Sequence, residues 1–215
     1  MIKDLIKETL RGKSLPRILI NNRMKKTQEL QGRILALASG NKRPSVYRFL
    51  KINKNAKIVS VDISKERNPD FIADLEKPFP FKNNEFDCIT CFNLLEHIFD
   101  HKNVINESYR SLKEGGRFIG TIPFLGSVHA DPDDYFRYTK STLEKLFKEF
   151  KQVNIEALGY GPFSVNYYMI ASAFPKILRI PLLFFAILSD KIVVKFKKNH
   201  GKDKYVLMYY FECKK

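Results

Sequence analysis

Cysteine is scarce: three residues in 215 are too few for a disulfide framework. The apolar cluster at the start is broken by Lys3, Asp4, Lys7 and Glu8 and does not read as a secretory leader. A cytoplasmic protein in a reducing compartment is therefore expected. Internal repeats and low-complexity tracts are missing, so the composition, 44% hydrophobic and 28% charged, describes an ordinary globular chain. The glycine fingerprint G-x-G-x-x-G is missing too, which argues against a nicotinamide dehydrogenase. No group of Cys, His and acids has metal-ligand spacing, so no metal site is expected. Cys88 and Cys91 do form a C-x-x-C, but in the strand-like "FDCITC" positions i and i+3 point to opposite faces. They read as core residues.

What the chain has in excess is positive charge, +15 overall. Residues 1–33 carry nine Lys or Arg against three acids and residues 189–215 carry eight against three, leaving only +4 for everything between. A basic nucleic-acid enzyme would concentrate cations in its central cleft, so this distribution argues against nucleic acid. Basic ends suit loose polyanion contact, an anionic membrane surface, or solubility alone.

Strand-like and helix-like pieces alternate along the chain: "RILALA", "PSVYRFLK", "AKIVSVDI", "PDFIADL", "FDCITCFN", then a helix through "HKNVINESYRSLK" with Gly115 and Gly116 as its stop signal. "RFIGTIPF" reads as a strand. "STLEKLFKEF" reads as a helix whose Ser141 and Glu144 are spaced as a capping box. "QVNIEALGY" and "YVLMYYFE" read as closing strands. Such alternation predicts an α/β fold, a mostly parallel doubly wound sheet with helices on both faces. Ligands in these sheets bind beyond the carboxyl ends of the strands. Polar residues stand there after each strand: Ser39, Gly40 and Asn41; Asp62; Asp74; Asn93 to His97; and "HADPDDYFRYT". An acid after the second strand can accept two hydrogen bonds from ribose hydroxyls.

The stretch "PFPFKNNEFDCITCFNLLEHIFDHKNVINESYRSLKEGGRFIGTIPF" resembles the class I S-adenosylmethionine-dependent methyltransferases, in the branch whose fourth strand ends in Leu-Glu-His. The resemblance extends over about residues 33–150. It implies a seven-stranded Rossmann-like sheet in a single domain: a basic helical extension (1–32), a cofactor-binding core (33–158), an apolar and basic insertion or lid (159–204) and a closing strand (205–212). It implies S-adenosylmethionine as cofactor, with Ala38, Ser39 and Gly40 along its methionine part and Asp62, with Ile63 beside it, at the ribose. Asp74 and Leu75 would lie beside the adenine, and Asn93, Glu96 and His97 would flank the reacting centre. The loop "HADPDDYFRYT" is similar to members that methylate sugars or other small hydroxyl-bearing acceptors. Asp62, Asp74 and Glu96 could instead be caps, and His97 a packed histidine.

The first motif departs from the family pattern. Ala36 stands where an acid is usual, Ala38 where a glycine is usual, and Lys42 near a further glycine position. A helix opening at Pro44, with Lys42 and Arg43 nearby, could favour the ligand's carboxylate. The missing acid weakens the ammonium end, by about 1.5–3 kcal/mol for one charge-assisted hydrogen bond. Weakened cofactor binding is expected, with a non-catalytic scaffold of the same fold as the alternative.

If the acceptor is a hydroxyl, a base must take its proton, and His129 and His97 are the candidates, His129 being preferred. Asp131, Asp134, Tyr135, Arg137 and Tyr138 are candidates to hold a small-molecule acceptor; Arg137 and the acids could equally tie down a long loop. No N/D-P-P-Y/F signature of nucleic-acid amino-methylation follows the fourth strand.

Finally, "FPKILRIPLLFFAILSDKIVVKFKK" is apolar on nearly every face, yet its longest uncharged piece is ten residues, about half of what a bilayer span needs. Pro175, Lys176, Arg179 and Pro181 interrupt it. It reads as a lid, an oligomer contact, or an interfacial segment over 175–198 lying on an anionic membrane with Lys191, Lys195, Lys197 and Lys198.

Overall fold

The computed structural model describes residues 2–40, 44–197 and 203–215. Seven strands among them form one sheet in the order β3-β2-β1-β4-β5-β7-β6. They are β1 (Arg33–Leu37), β2 (Lys57–Asp62), β3 (Phe71–Ile72), β4 (Phe86–Phe92), β5 (Leu112–Pro123), β6 (Gln152–Leu158) and β7 (Met208–Lys214). The first five run parallel, while β7 is antiparallel to both β5 and β6. The expected mostly parallel, doubly wound α/β sheet is what the chain forms.

Alternation along each strand sends residues to two cores. Leu35, Leu37, Ile89, Cys91, Phe118 and Phe211 face one side. There they meet Val104 and Ile105 of α3 (His101–Ser111) and Leu143 of α4 (Lys140–Leu146). Ile34, Ala36, Cys88, Ile119 and Tyr210 face the other. That side is covered by Ile20 and Met24 of α2 (Leu15–Met24) and by Val46 and Tyr47. Cys88 and Cys91 thus lie in opposite cores, both fully buried, and burial pushes the Cys88 thiol up to about 12. A satellite core joins α1 (Ile2–Leu10), α5 (Pro162–Ile170) and α6 (Lys176–Phe196) through Leu5, Val165, Leu183 and Ala186.

Several local expectations are corrected. The segment from Pro44 forms only a 3-10 turn, Ser45–Phe49, so no full helix opens at Pro44. Gly115 and Gly116 do not end α3, which stops at Ser111; Leu112 already belongs to β5. Gly115, at φ +75°, lies instead where the register against β4 shifts between Phe86 and Cys88, and its N–H reaches the Lys215 carbonyl at 2.9 Å. A positive φ in an extended segment is a bulge requirement that reads in sequence like a helix stop. The cap of α4 is Thr139, whose hydroxyl accepts the Thr142 N–H at 3.2 Å. Ser141 lies two residues too late for the role, already inside the helix, and Glu144 faces Lys140.

The closing strand starts at Met208 and ends at Lys214, shifted from 205–212, because Val206 and Leu207 spend their carbonyls on Leu125 and Phe124 before regular pairing begins. The prolines do not break the apolar segment: Pro175 is the N-cap of α6 and Pro181 is carried inside it. Asp190 of α6 compensates by fixing the neighbour, accepting the Phe163 and Ser164 N–H groups at the start of α5 at 2.8 and 2.9 Å. None of the helices in the described residues is long and apolar enough to cross a membrane.

Candidate active site

Strand order reverses at β1, which has β2 on one side and β4 on the other, so the crevice above these carboxyl ends is where a ligand fits this topology. The chain leaves β1 through Ala38 at φ +46°, a left-handed conformation that glycine adopts more cheaply. Ser39 follows, buried, with its N–H on the Val61 carbonyl at 3.1 Å. Gly40 then runs so close to the loop after β2 that a Cβ on it would stand 2.0 Å from the Arg67 carbonyl. Asn41, Lys42 and Arg43 lie outside the described residues. Ala36 is wholly buried and pairs with Thr90, whose hydroxyl is held by Tyr47 and by the Leu35 carbonyl. The position that usually carries the acid is therefore sealed into the core.

Asp62 ends β2 and is 3% exposed. One carboxylate oxygen accepts the Ser64 N–H at 2.8 Å and the other faces the Arg67 guanidinium at 3.3 Å. Arg67 also reaches Asp131 at 3.0 Å, so it spans the loops after β2 and β5. Ile63, next in line, is 66% exposed, an apolar side chain left open beside the acid. A cavity of about 550 Å³ is lined by Ala38, Ser39, Gly40, Pro44, Glu66, Arg67 and Asn68. At the end of β3, Asp74 accepts the Glu76 N–H at 2.9 Å, the turn-capping contact. Leu75 puts its side chain into the core, and its carbonyl accepts the Asn103 side-chain N–H at 3.0 Å.

Asn93 follows β4 at φ +50°, its side-chain oxygen accepting the Thr121 hydroxyl at 2.6 Å. The next turn, Leu95–His97, buries Glu96 completely while leaving both of its carboxylate oxygens without a hydrogen-bond partner among the described residues. Burial pushes this carboxyl up to about 8. His97 donates from Nδ1 to the Asp133 carbonyl at 2.6 Å and holds Nε2 3.7 Å from Glu96 Oε1. The ring of His129, from the loop after β5, lies 5.0 Å from that of His97.

The loop itself is built by ion pairing. Asp134, whose side chain is 1% exposed, binds the Arg137 guanidinium through both oxygens and accepts the His129 N–H at 2.9 Å. The Arg137 contact holds its carboxyl well below the usual carboxylate range. Arg137 further donates to the Phe136 and Ser127 carbonyls. The structure thus makes Arg137 and Asp134 a loop tie and not a free receptor. Tyr138 is also corrected: it is buried, with its hydroxyl on the Leu95 carbonyl at 2.9 Å. Tyr135, half exposed, donates to Asp133, and Asp131 stands on the Asp62 side of the crevice through Arg67.

A second cavity, about 230 Å³, opens beside His129 and Asn93 and is closed by Arg17 and Ile20 of α2, Ser127 and Tyr168. Burial lowers the pKa of Arg17, and no ion pair of its side chain occurs among the described residues. Sequence reasoning missed Arg17 and Tyr168, because only the return of both terminal segments over the sheet brings them to this edge.

Residues 32–120 match the family described as Methyltransferase domain. The chain is 28% identical over 134 residues to an uncharacterized protein of Methanocaldococcus jannaschii, covering 57% of this chain and 53% of that one. It is 24% identical over 157 residues to the ubiquinone/menaquinone biosynthesis C-methyltransferase of Escherichia coli, covering 56% and 62%. The chain thus spans about half the length of the curated relatives it matches. Among solved structures, an S-adenosylmethionine-dependent methyltransferase of Archaeoglobus fulgidus superposes with a TM-score of 0.59 at 14% identity, over 98% of both chains. Phosphoethanolamine N-methyltransferase 2 of Haemonchus contortus, in complex with phosphomonomethylethanolamine and S-adenosylhomocysteine, gives 0.53 at 15%, over 91% of this chain and 52% of that one.

The fold is the Rossmann-like fold shared with these methyltransferases. Residues 32–120 match a methyltransferase domain and so resemble the class I type, whose cofactor is S-adenosylmethionine.

Proposed function

We propose that the protein transfers a methyl group from S-adenosylmethionine to a hydroxyl of a small, anionic acceptor. One observation carries the reading: two imidazoles from separate loops meet beside a buried carboxylate at the carboxyl edge of the sheet, next to a cavity lined by Arg17, which has no ion pair among the described residues.

The residues present suit the cofactor at three points. Asp62 offers a buried carboxylate to ribose hydroxyls, Ile63 offers an open apolar side chain beside it, and Ala38, Ser39 and Gly40 line the neighbouring cavity, Gly40 letting the two loops that form it pack closely. The ammonium end lacks its acid, since Ala36 is sealed in the core. When bound, the cofactor supplies an electrophilic methyl group on sulfonium. Asn93 and the Leu95–His97 turn border its reacting end, and Arg17 receives the acceptor's carboxylate or phosphate. His129, the exposed imidazole, lies on the acceptor's path and takes the hydroxyl proton as the oxygen attacks; His97, tied to Asp133, keeps the pair in register. Calorimetric titration with S-adenosylmethionine and its demethylated product tests the reading. No binding up to millimolar ligand would replace it with a scaffold of the same fold.

Arg67 occupies the oxygen of Asp62 that ribose needs. Its side chain is 47% exposed, so the ion pair is worth only about 0.2–1 kcal/mol. Arg67→Ala should therefore bind the cofactor about two- to fivefold tighter. Unchanged or weaker binding would show that Arg67 does not compete at Asp62.

We further propose that α6 lies on an anionic membrane surface. Ile177, Pro181, Phe185, Leu188, Ile192 and Phe196 are all exposed and share one face of about 100°, opposite the buried Leu183, Ala186 and Asp190. Lys191 and Lys195 flank that face, and an apolar cavity of about 300 Å³ between Leu5, Phe184 and Leu188 lies at its edge. Charge complementarity and an apolar stripe of this length favour a lipid surface and thus a lipid-linked acceptor. Cosedimentation with vesicles containing about a third phosphatidylglycerol is expected at low salt and lost in Phe185→Ser/Leu188→Ser. Self-association of the wild type without vesicle binding would assign the stripe to an oligomer contact instead.

A further inference from the structure

A fully buried carboxylate with neither oxygen hydrogen-bonded is an anomaly that folding alone does not explain. Burying an unpaired charge, or even an unpaired polar group, costs several kcal/mol unless a proton or a cation completes it. Glu96 is such a group, and the cation nearest in the loop, Arg137, is fully engaged by Asp134. What Glu96 faces is His97 Nε2, 3.7 Å away. Because His97 Nδ1 donates to the Asp133 carbonyl at 2.6 Å, Nε2 is the ring nitrogen left to face Glu96. No hydrogen bond joins the two side chains among the described residues.

The third member is His129. One donor atom from each of Glu96, His97 and His129 lies within 4.8 Å of the others. His129 Nδ1 stands 3.4 Å from Asp134 Oδ2, on the carboxylate that Arg137 holds in place. An imidazole with one nitrogen held by a carbonyl, as His97 is, has the outer-shell arrangement of metal-binding histidines.

We propose that Glu96, His97 and His129 bind a divalent transition-metal ion, zinc or a similar borderline cation, at the edge of the acceptor cavity. Two imidazoles and one carboxylate are the donor set of open zinc and related sites, which keep at least one position for an exchangeable oxygen. Bonds of about 2.0–2.1 Å place tetrahedral ligand atoms about 3.3 Å apart, so the trio must close by up to about 1.5 Å. His129, on an exposed loop, is the member free to move.

The catalytic consequence rests on the methyl-transfer reading; ion binding does not. Were the ion bound, Glu96, His97 and His129 would hold it, and it would supply the acidification of the acceptor hydroxyl that His129 supplies as a base without it, the proton then passing to solvent. The transfer itself would be unchanged: the oxygen pair forms the new bond to the methyl carbon as the S–CH₃ pair returns to sulfur.

The test is titration of metal-stripped full-length protein with Zn²⁺ by calorimetry and with Co²⁺ by visible absorption. One ion per chain is expected, with Co²⁺ bands of a four- or five-coordinate N/O site. Glu96→Gln and His129→Ala should each weaken it at least about 100-fold. Glu96→Gln keeps the shape and replaces the buried carboxyl by an amide, so it folds even if His129→Ala loosens its loop. An ion retained by both variants, thiolate-like Co²⁺ bands, or no ion below about 100 μM would overturn the site. Titration of the same samples with S-adenosylmethionine separates the failures. Cofactor binding without an ion removes only the metal site, and an ion without cofactor binding removes only the methyl-transfer reading.

Discussion

Asp62→Ala should weaken S-adenosylmethionine binding by about 3 kcal/mol, roughly 150-fold, measured by calorimetry against the wild type. The size follows from the position. The carboxylate is buried at the end of β2, one oxygen is fixed by the Ser64 N–H, and the other is opposed only by a half-exposed arginine that ribose hydroxyls can displace. Two hydrogen bonds to a charged acceptor in a shielded crevice are each worth about 1.5–3 kcal/mol, and part of that is already given to Arg67 in the free protein. Asp62→Asn keeps the Ser64 contact and the shape but loses the charge, so it should fall between wild type and Ala. Wild-type affinity in both variants would remove Asp62 from the cofactor site and leave its role as a turn cap.

That Asp62 could be singled out from the sequence at all depends on topology. The alternation of "RILALA", "AKIVSVDI" and "FDCITCFN" with helical stretches suffices to predict parallel strands, and in a parallel sheet every carboxyl end lies on one edge. Residues following strands were therefore legible as a group, from Ser39 to His129. What each of them touches was not. Arg137 has the chemistry of an anion receptor, but in the fold its neighbour three residues back is a buried acid that claims it. Tyr138 is an aromatic in a polar loop, and only the packing shows that its hydroxyl answers the Leu95 carbonyl. The meeting of Glu96, His97 and His129 was invisible for a related reason. Two of the three are adjacent and the third is 32 positions on, a spacing that carries no ligand signature until β5 and its loop fold back. Arg17 reaches the same edge from α2, outside residues 32–120 that match the methyltransferase domain.

The local errors have a common cause as well. Gly115 and the segment after Pro44 carry signals that are correct for the residue and ambiguous for the element. A glycine at positive φ serves a helix stop or a strand bulge equally, and a proline opens an α-helix or a single 3-10 turn. Which one forms was decided by the register of β5 against β4 and by how much chain remains before β2. Those are tertiary facts.

Arg137→Ala is expected to cost about 3 kcal/mol of folding stability, measured by urea denaturation, and to do so through Asp134. Removing the guanidinium leaves a carboxylate that is 1% exposed with only the His129 N–H and ring as partners, and stranding one member of a buried pair typically costs about 3–5 kcal/mol. The lower end is appropriate because Arg137 is itself partly exposed. The double variant Asp134→Ala/Arg137→Ala should recover more than half of the loss, since the stranded charge goes with its partner. The recovery has a functional counterpart that separates a tie from a receptor. The tie holds the segment whose Tyr135 and Phe136 N–H groups bind the Glu96 carbonyl and whose Asp133 carbonyl orients His97. If Arg137 acts only as a tie, the double variant keeps cofactor affinity and loses the geometry of the two imidazoles. If both variants are as stable as the wild type, the loop is held by its backbone contacts alone, and Arg137 becomes free to be argued as an acceptor contact after all.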